Sequence, residues 1–271
     1  MTFDSNRAWQ QAAAAIRANS EVLFALAGVF FLLPILAFTL MFPQSAPPAG
    51  ADEQALMAFA AQYYAKTLPF AIPMAIVQAA GTLGLLTLLT DRTRPTVSQA
   101  IRTGFAALLP YLGAQLLLGF VAGMAGLLIL SVFSLAGSGA LVAVALAGLG
   151  VAGIYVWVRT SLSAPVISVE GVRSPFRALT RSWELTRGNG MRILAFYALI
   201  LLAFMIVMSV MLALTGVLLT LLLPANLATI FSAVISAALQ SIMALIFVAA
   251  LAAAHSQLAG DTAERIGATF D

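Results

Sequence analysis

The sequence predicts an all-α fold, a polytopic membrane helical bundle of about six transmembrane helices. Composition, six long uncharged runs and a one-sided arginine distribution carry that reading. Of 271 residues, 62% are hydrophobic and 8% charged, with a mean hydropathy of +1.03. Soluble domains carry about 25% charged residues, so a water-facing fold would lack the polar side chains to cover its surface. Lipid is the solvent that fits, and there the backbone must satisfy its own hydrogen bonds.

A helix needs roughly 20 apolar residues to cross the hydrocarbon. Runs that meet this length lie at about 22–42, 68–89, 108–133, 140–158, 193–223 and 227–254, all without Asp, Glu, Lys or Arg. The first is too long for the apolar region of a cleaved signal, roughly 7–15 residues, and reads as a retained span. The fifth is overlong, which predicts tilting or an end before Pro224. Residues 134–139 and 221–226 read as hairpin turns, so the whole of 1–271 forms one membrane domain.

Orientation follows from the charges. Arg7 and Arg17 precede the first span, and Arg92, Arg94 and Arg102 lie between the second and third. Arg159, Arg173, Arg177, Arg181, Arg187 and Arg192 lie between the fourth and fifth, and Arg265 follows the sixth. Lys66 alone falls on the other side. The positive-inside rule makes the arginine side cytoplasmic, with both termini there. The opposite segment opens with Pro43, Pro47, Pro48 and Gly50 as an extended turn. A short helix is expected at 52–64, its Asp52 and Glu53 placed well for the helix dipole, with Tyr63, Tyr64 and Phe70 at headgroup level.

The basic segments before spans one, three and five resemble one another. Shifting Ser174 back by 78 positions pairs it with Thr96, Ala178 with Ala100 and Trp183 with Phe105. A shift of 170 pairs Ser174 with Asp4, Arg177 with Arg7, Arg187 with Arg17 and Asn189 with Asn19. Each copy begins with a residue able to cap a helix; Gln99 completes a capping box with Thr96, and Pro175 suits a first turn. In the third copy Phe176, Leu179 and Trp183 share a face, with arginines beside it, as in a helix lying in the membrane interface. Interfacial helices are therefore expected at about 4–18, 96–106 and 174–187, giving three units of interfacial helix plus two-span hairpin.

The stretch from Arg159 through Ala164-Pro165-Val166-Ile167, Glu170-Gly171 and Ser174-Pro175-Phe176-Arg177-Ala178-Leu179-Thr180-Arg181-Ser182-Trp183-Glu184-Leu185-Thr186-Arg187-Gly188-Asn189 resembles the bacterial membrane domain attached to some glycerophosphoryl diester phosphodiesterases, and stand-alone YciC-type (UPF0259-like) inner-membrane proteins. The resemblance implies an architecture and an inner-membrane address, not a reaction. Phosphodiesterase chemistry of that kind belongs to a separate soluble barrel, for which no polar stretch here is long enough.

Candidate functional residues are few. Arg177, Arg181, Arg187 and Arg192 could hold phospholipid heads, because basic residues beside a bilayer attract anionic lipids and guanidinium forks bind phosphate bidentately; fixing topology and anchoring the helix is the plainer role. Arg159 could snorkel or reach Glu170 or Glu184, and Trp183 reads as an interfacial anchor. Gln78 and Gln240 sit near mid-membrane, where amides usually bond between helices or line a polar passage. Gly119 with Gly123, and Gly148 with Ala152, are spaced for close packing of spans three and four or for dimerisation. Pro34, Pro69 and Pro73 can kink their spans.

With no cysteine and the single histidine His255, thiolate chemistry and paired-imidazole metal sites are excluded; no cofactor or catalytic set is expected. A pI near 9.7 reflects topology, not nucleic acid. The expected function is non-enzymatic: an inner-membrane protein organising anionic lipid, a partner protein or further copies of itself through its basic helices. A transporter or lipid-moving protein is the alternative, one not driven by embedded ionisable groups.

Overall fold

The computed structural model describes residues 2–43, 50, 52–90, 95–135 and 137–270, with only the helical backbone described for 261–270. Pro47, Pro48, Arg92, Arg94 and the side chain of Arg265 lie outside the described residues. Helices α1 (Ser5–Ala18) and α2 (Ser20–Ala27) are followed by a π-helical turn (Gly28–Leu32) and α3 (Leu33–Met41). Then come α4 (Glu53–Thr90), α5 (Val97–Leu135), α6 (Gly139–Thr160), α7 (Ser163–Ser168), α8 (Pro175–Leu185), α9 (Gly190–Leu222) and α10 (Ala225–Phe270). Six helical stretches are long and apolar enough to cross a membrane: Ser20–Met41, Glu53–Thr90, Val97–Leu135, Gly139–Ser168, Gly190–Leu222 and Ala225–Gly260. The fifth ends before Pro224, as its length predicted.

All three expected caps form. Asp4 Oδ1 accepts from the amides of Asn6 (2.9 Å) and Arg7 (3.1 Å). Thr96 and Gln99 exchange both capping-box bonds, at 2.9 and 3.3 Å, and Ser174 Oγ accepts from the Arg177 amide. The exits differ. α1 and α8 are separate helices because Asn19 and the Gly188-Asn189 turn leave helical geometry, with Gly188 at φ +80°. The same repeat shift puts Pro110 and Tyr111 at the exit of the second copy. Neither breaks the chain there, so the helix expected at 96–106 is only the opening of the 39-residue α5. Likewise the short helix expected at 52–64 is continuous with span two in α4. At 1.5 Å per residue α5 is about 58 Å long, roughly twice the hydrocarbon thickness.

Pro34 is accommodated without a break. Its ring would strike the carbonyl four residues back in a regular helix. The preceding turn widens instead, so the Leu33 amide bonds Gly28 five residues earlier. Just before that turn the Ala27 carbonyl also accepts from Ser241 Oγ of α10 at 3.0 Å, a polar contact that ties the first span to the last.

Between helices in lipid, tails are as apolar as side chains, so close approach and hydrogen bonds replace hydrophobic burial as the driving force. The backbones of α4 and α5 approach closely: a Cβ on Gly104 would lie 2.8 Å from the Ala80 carbonyl oxygen and the Gly84 nitrogen. A Cβ on Gly81 would run into Phe30 Cβ of the π-helical turn, so α4 is also pressed against the first span. Ala80, Ala100 and Ala107 are buried beside them. The glycines proposed for packing of spans three and four do not serve it. Gly119, Gly123, Gly148 and Ala152 are all exposed, and a Cβ on any of these glycines meets nothing within 4 Å. At about 100° per residue, Gly123 is turned about 180° from buried Ala114. Spacing identified a small stripe but not the face it occupies.

Gly104→Leu should therefore lower stability by about 1–3 kcal/mol through overpacking, whereas Gly123→Leu should leave it within about 0.5 kcal/mol. Thermal unfolding of the two variants in one detergent measures the contrast.

Candidate functional site

The described arginines converge at one end of the bundle. The Phe3 amide donates to Asn189 Oδ1 at 2.8 Å, and the Asp4 amide to Gln257 Oε1 at 3.3 Å, joining the chain start to the beginning of α9 and to α10. Arg173 Nη1 donates to the Ala106 carbonyl of α5. Segments carrying Arg7, Arg17, Arg102, Arg159, Arg173, Arg177, Arg181, Arg187 and Arg192 thus gather together. Lys66 lines a separate hollow of about 240 Å³ with Phe42 and Tyr63, where α3 ends.

The centre of the basic end is a backbone break just after the fourth apolar run, between Thr160 and Ser163. α6 stops at Thr160, and after a short interruption α7 packs among α4, α5, α8 and α10, with all six of its residues buried. A buried break leaves peptide groups without helical partners, each costly if unmet. Ser182 of α8 meets two of them. Its Oγ donates to the Arg159 carbonyl at 2.8 Å and accepts from the Leu162 amide at 3.1 Å. Thr186 Oγ1 lies 3.3 Å from the same carbonyl but nearer, 2.9 Å, to the Ser182 carbonyl, its helical acceptor. Ala178, Ser182 and Leu185 form the buried face of α8, so the one hydroxyl on that face points at the break. A serine on an otherwise apolar helical face is the signal the sequence offered.

Arg159 neither snorkels nor meets Glu170 or Glu184. It is 7% exposed. Its Cζ lies 4.7 Å from the Trp183 ring centroid and 5.6 Å from that of Tyr155. The two rings meet edge to face, so Trp183 serves as a platform beneath a guanidinium and not simply as an interfacial anchor. Arg159 Nη1 reaches Thr186 Oγ1 only at 3.4 Å, and its buried Nε has no partner.

The carboxylates go elsewhere. Glu170 binds Arg181 Nε at 3.2 Å and His255 Nε2 at 2.9 Å, and Glu184 lies 3.9 Å from Arg181. Arg181 is therefore held in a cluster that fastens α8 to α10, instead of facing lipid alone as the sequence suggested. His255, the single histidine, is buried and takes part. Burial pushes the Glu170 carboxyl up, but the His255 hydrogen bond and the Arg181 charge outweigh it and hold the group below the ordinary carboxylate value.

Beside Arg159 a cavity of about 460 Å³ opens where α9 begins, lined by Arg159, Arg187, Arg192, Tyr155 and Met191, with Thr2 and the Gly188–Gly190 backbone. Among the described residues no carboxylate lines it. The Asn189 side chain makes no capping bond to α9, and helix starts favour anions. Arg187 and Arg192 are exposed; Arg177 lies apart, exposed beside Phe176 on α8. The two glutamines do not join this region. Gln78 is half-buried in α4, and Gln240 donates to Ser236 within α10, so its amide makes no bond between helices there. Chemically the arrangement can bind and orient an anion.

A family profile described as a domain of unknown function, DUF7847, matches residues 6–258. No curated protein and no solved structure matches the chain.

Removing the Ser182 hydroxyl strands two backbone groups, so Ser182→Ala should cost about 1–3 kcal/mol, read from thermal unfolding in detergent. Glu170 predicts a pH dependence: a carboxyl with a lowered native pKa stabilises above its unfolded value, 4.5, and that contribution is lost as pH falls through the native one. The melting temperature of wild type should drop more than that of Glu170→Gln between neutral pH and pH values below the carboxylate range.

Proposed function

The chain belongs to the DUF7847 family, and we propose that it is a non-enzymatic multi-pass protein of the bacterial inner membrane that organises anionic lipid around its cytoplasmic face. The single observation that carries this reading is the gathering of exposed arginines at one end of six long apolar helical stretches. Positive charge at that end also supports a cytoplasmic address for both termini. On α8, exposed Phe176 and Arg177 stand side by side, an apolar group for the acyl boundary and a cation for the headgroup. The resemblance of residues 159–189 to the membrane domain of glycerophosphoryl diester phosphodiesterases agrees with a role among phospholipids. Transport has less support, because Gln240 spends its amide inside its own helix.

The test is lipid enrichment. The full chain, reconstituted in vesicles of mixed phosphatidylglycerol and phosphatidylethanolamine, should retain phosphatidylglycerol preferentially on extraction, as counted by mass spectrometry. An interfacial arginine contributes about 1 kcal/mol, so Arg177→Gln should reduce preference at its site about fivefold. Equal retention of the two lipids by wild type would overturn the proposal.

A further inference from the structure

We infer that the cavity at the start of α9 is a discrete binding site for a phosphate-bearing anion, with the headgroup of an anionic phospholipid as its natural source. This deepens the reading of a lipid-organising face and rests on it, but it concerns one saturable site and not a charged surface.

The first observation is Arg159 itself. An arginine that only sets topology keeps its head in water. This one is 7% exposed, and among the described residues no carboxylate pairs with it, Arg187 or Arg192. Two aromatic faces offset part of the cost of burying the charge. Its Nε remains without a partner, and its one hydrogen bond is long. A buried cation normally has a compensating anion or hydrogen bonds, and here the protein supplies neither in full.

The second observation is convergence. Arg159 comes from the end of α6, Arg187 from the turn after α8, and Arg192 from the first turn of α9, all onto one cavity. The backbone at Gly188 adopts φ +80°, which favours glycine and leaves no side chain in that wall. The start of a 33-residue helix faces the same space without a side-chain cap, since Asn189 Oδ1 receives the Phe3 amide. Donors approaching from three elements suit a tetrahedral oxyanion with several acceptor oxygens better than a planar carboxylate held by one fork.

The third observation concerns the rim. Tyr155 and Met191 are exposed, the latter 78%, and they stand on the spans α6 and α9. A phosphate in the cavity could thus carry an apolar tail along these two helices. A soluble phosphate would use the arginines but not this rim.

Purified full-length protein in a zwitterionic detergent is titrated with dihexanoyl phosphatidylglycerol, dihexanoyl phosphatidylcholine, glycerol 3-phosphate and inorganic phosphate, and binding is followed by native mass spectrometry. Saturable one-to-one binding of the anionic lipid is expected, weaker for the other three probes. Arg187→Gln with Arg192→Gln should weaken it about thirtyfold, taking two interfacial arginines. Both side chains are exposed, so this variant folds even if Arg159→Gln does not. Lys66→Gln, at the separate hollow where α3 ends, should leave the affinity unchanged. Equal or tighter binding of inorganic phosphate would support the anion site and assign it to a soluble ligand. No saturable binding of any phosphate probe, or wild-type affinity in the double variant, would overturn the inference. Persistence of phosphatidylglycerol enrichment in that case would show that only the discrete site, and not the lipid-organising face, had failed.

Discussion

One side chain, Ser182, allows the chain to do something a bilayer usually forbids: to break a helix inside packed protein. The interruption after Thr160 exposes an acceptor on Arg159 and a donor on Leu162, and a single hydroxyl serves both. Irregular backbone at membrane depth is tolerated only where protein buries it. α7 can therefore pack inward, with Val166 and Ile167 fully buried among α4, α5 and α10. α8 docks by the same bonds. Arg159 is drawn inward with its own carbonyl, and the cavity at α9 is a by-product of where α8 must sit.

Around this junction the molecule uses a second fastening of a different kind. Glu170 receives Arg181 from α8 and His255 from α10, so the connection after α7 is tied on both sides. The ion cluster sits at the edge of the protein, where its desolvation is partial. Close approach joins polar fastening at the same end: the Ala80–Gly84 and Ala100–Gly104 segments, the latter bracketing Arg102, pack backbone to backbone.

Much of this was readable in advance, for identifiable reasons. Caps at Asp4, Thr96 and Ser174 depend on local hydrogen bonding, so residue type and spacing determined them. The spans followed from length and the lack of charge. What could not be read was the rotation of each helix. Gly119 and Gly123 match a packing pattern as well as Ala100 and Gly104 do, yet the docking of α5 through its first turns points the former outward. Nor does residue spacing reveal that Arg181, not Arg159, meets Glu170: that pairing depends on α7 folding inward, a long-range event. Helix exits at Asn19 and Asn189 were available in the repeat, and the replacement of that asparagine by Tyr111 explains why α5 runs on.

The π turn at Gly28–Leu32 divides the first span into unequal partners. Leu23, Leu26, Ala27 and Phe31 are buried up to and within it, while α3 beyond it has no fully buried residue. The two halves are thus mechanically distinct. Matching a change in local bilayer thickness costs fractions of a kcal/mol per Å, and α3, the half with no fully buried residue, has the least packing to lose in meeting it.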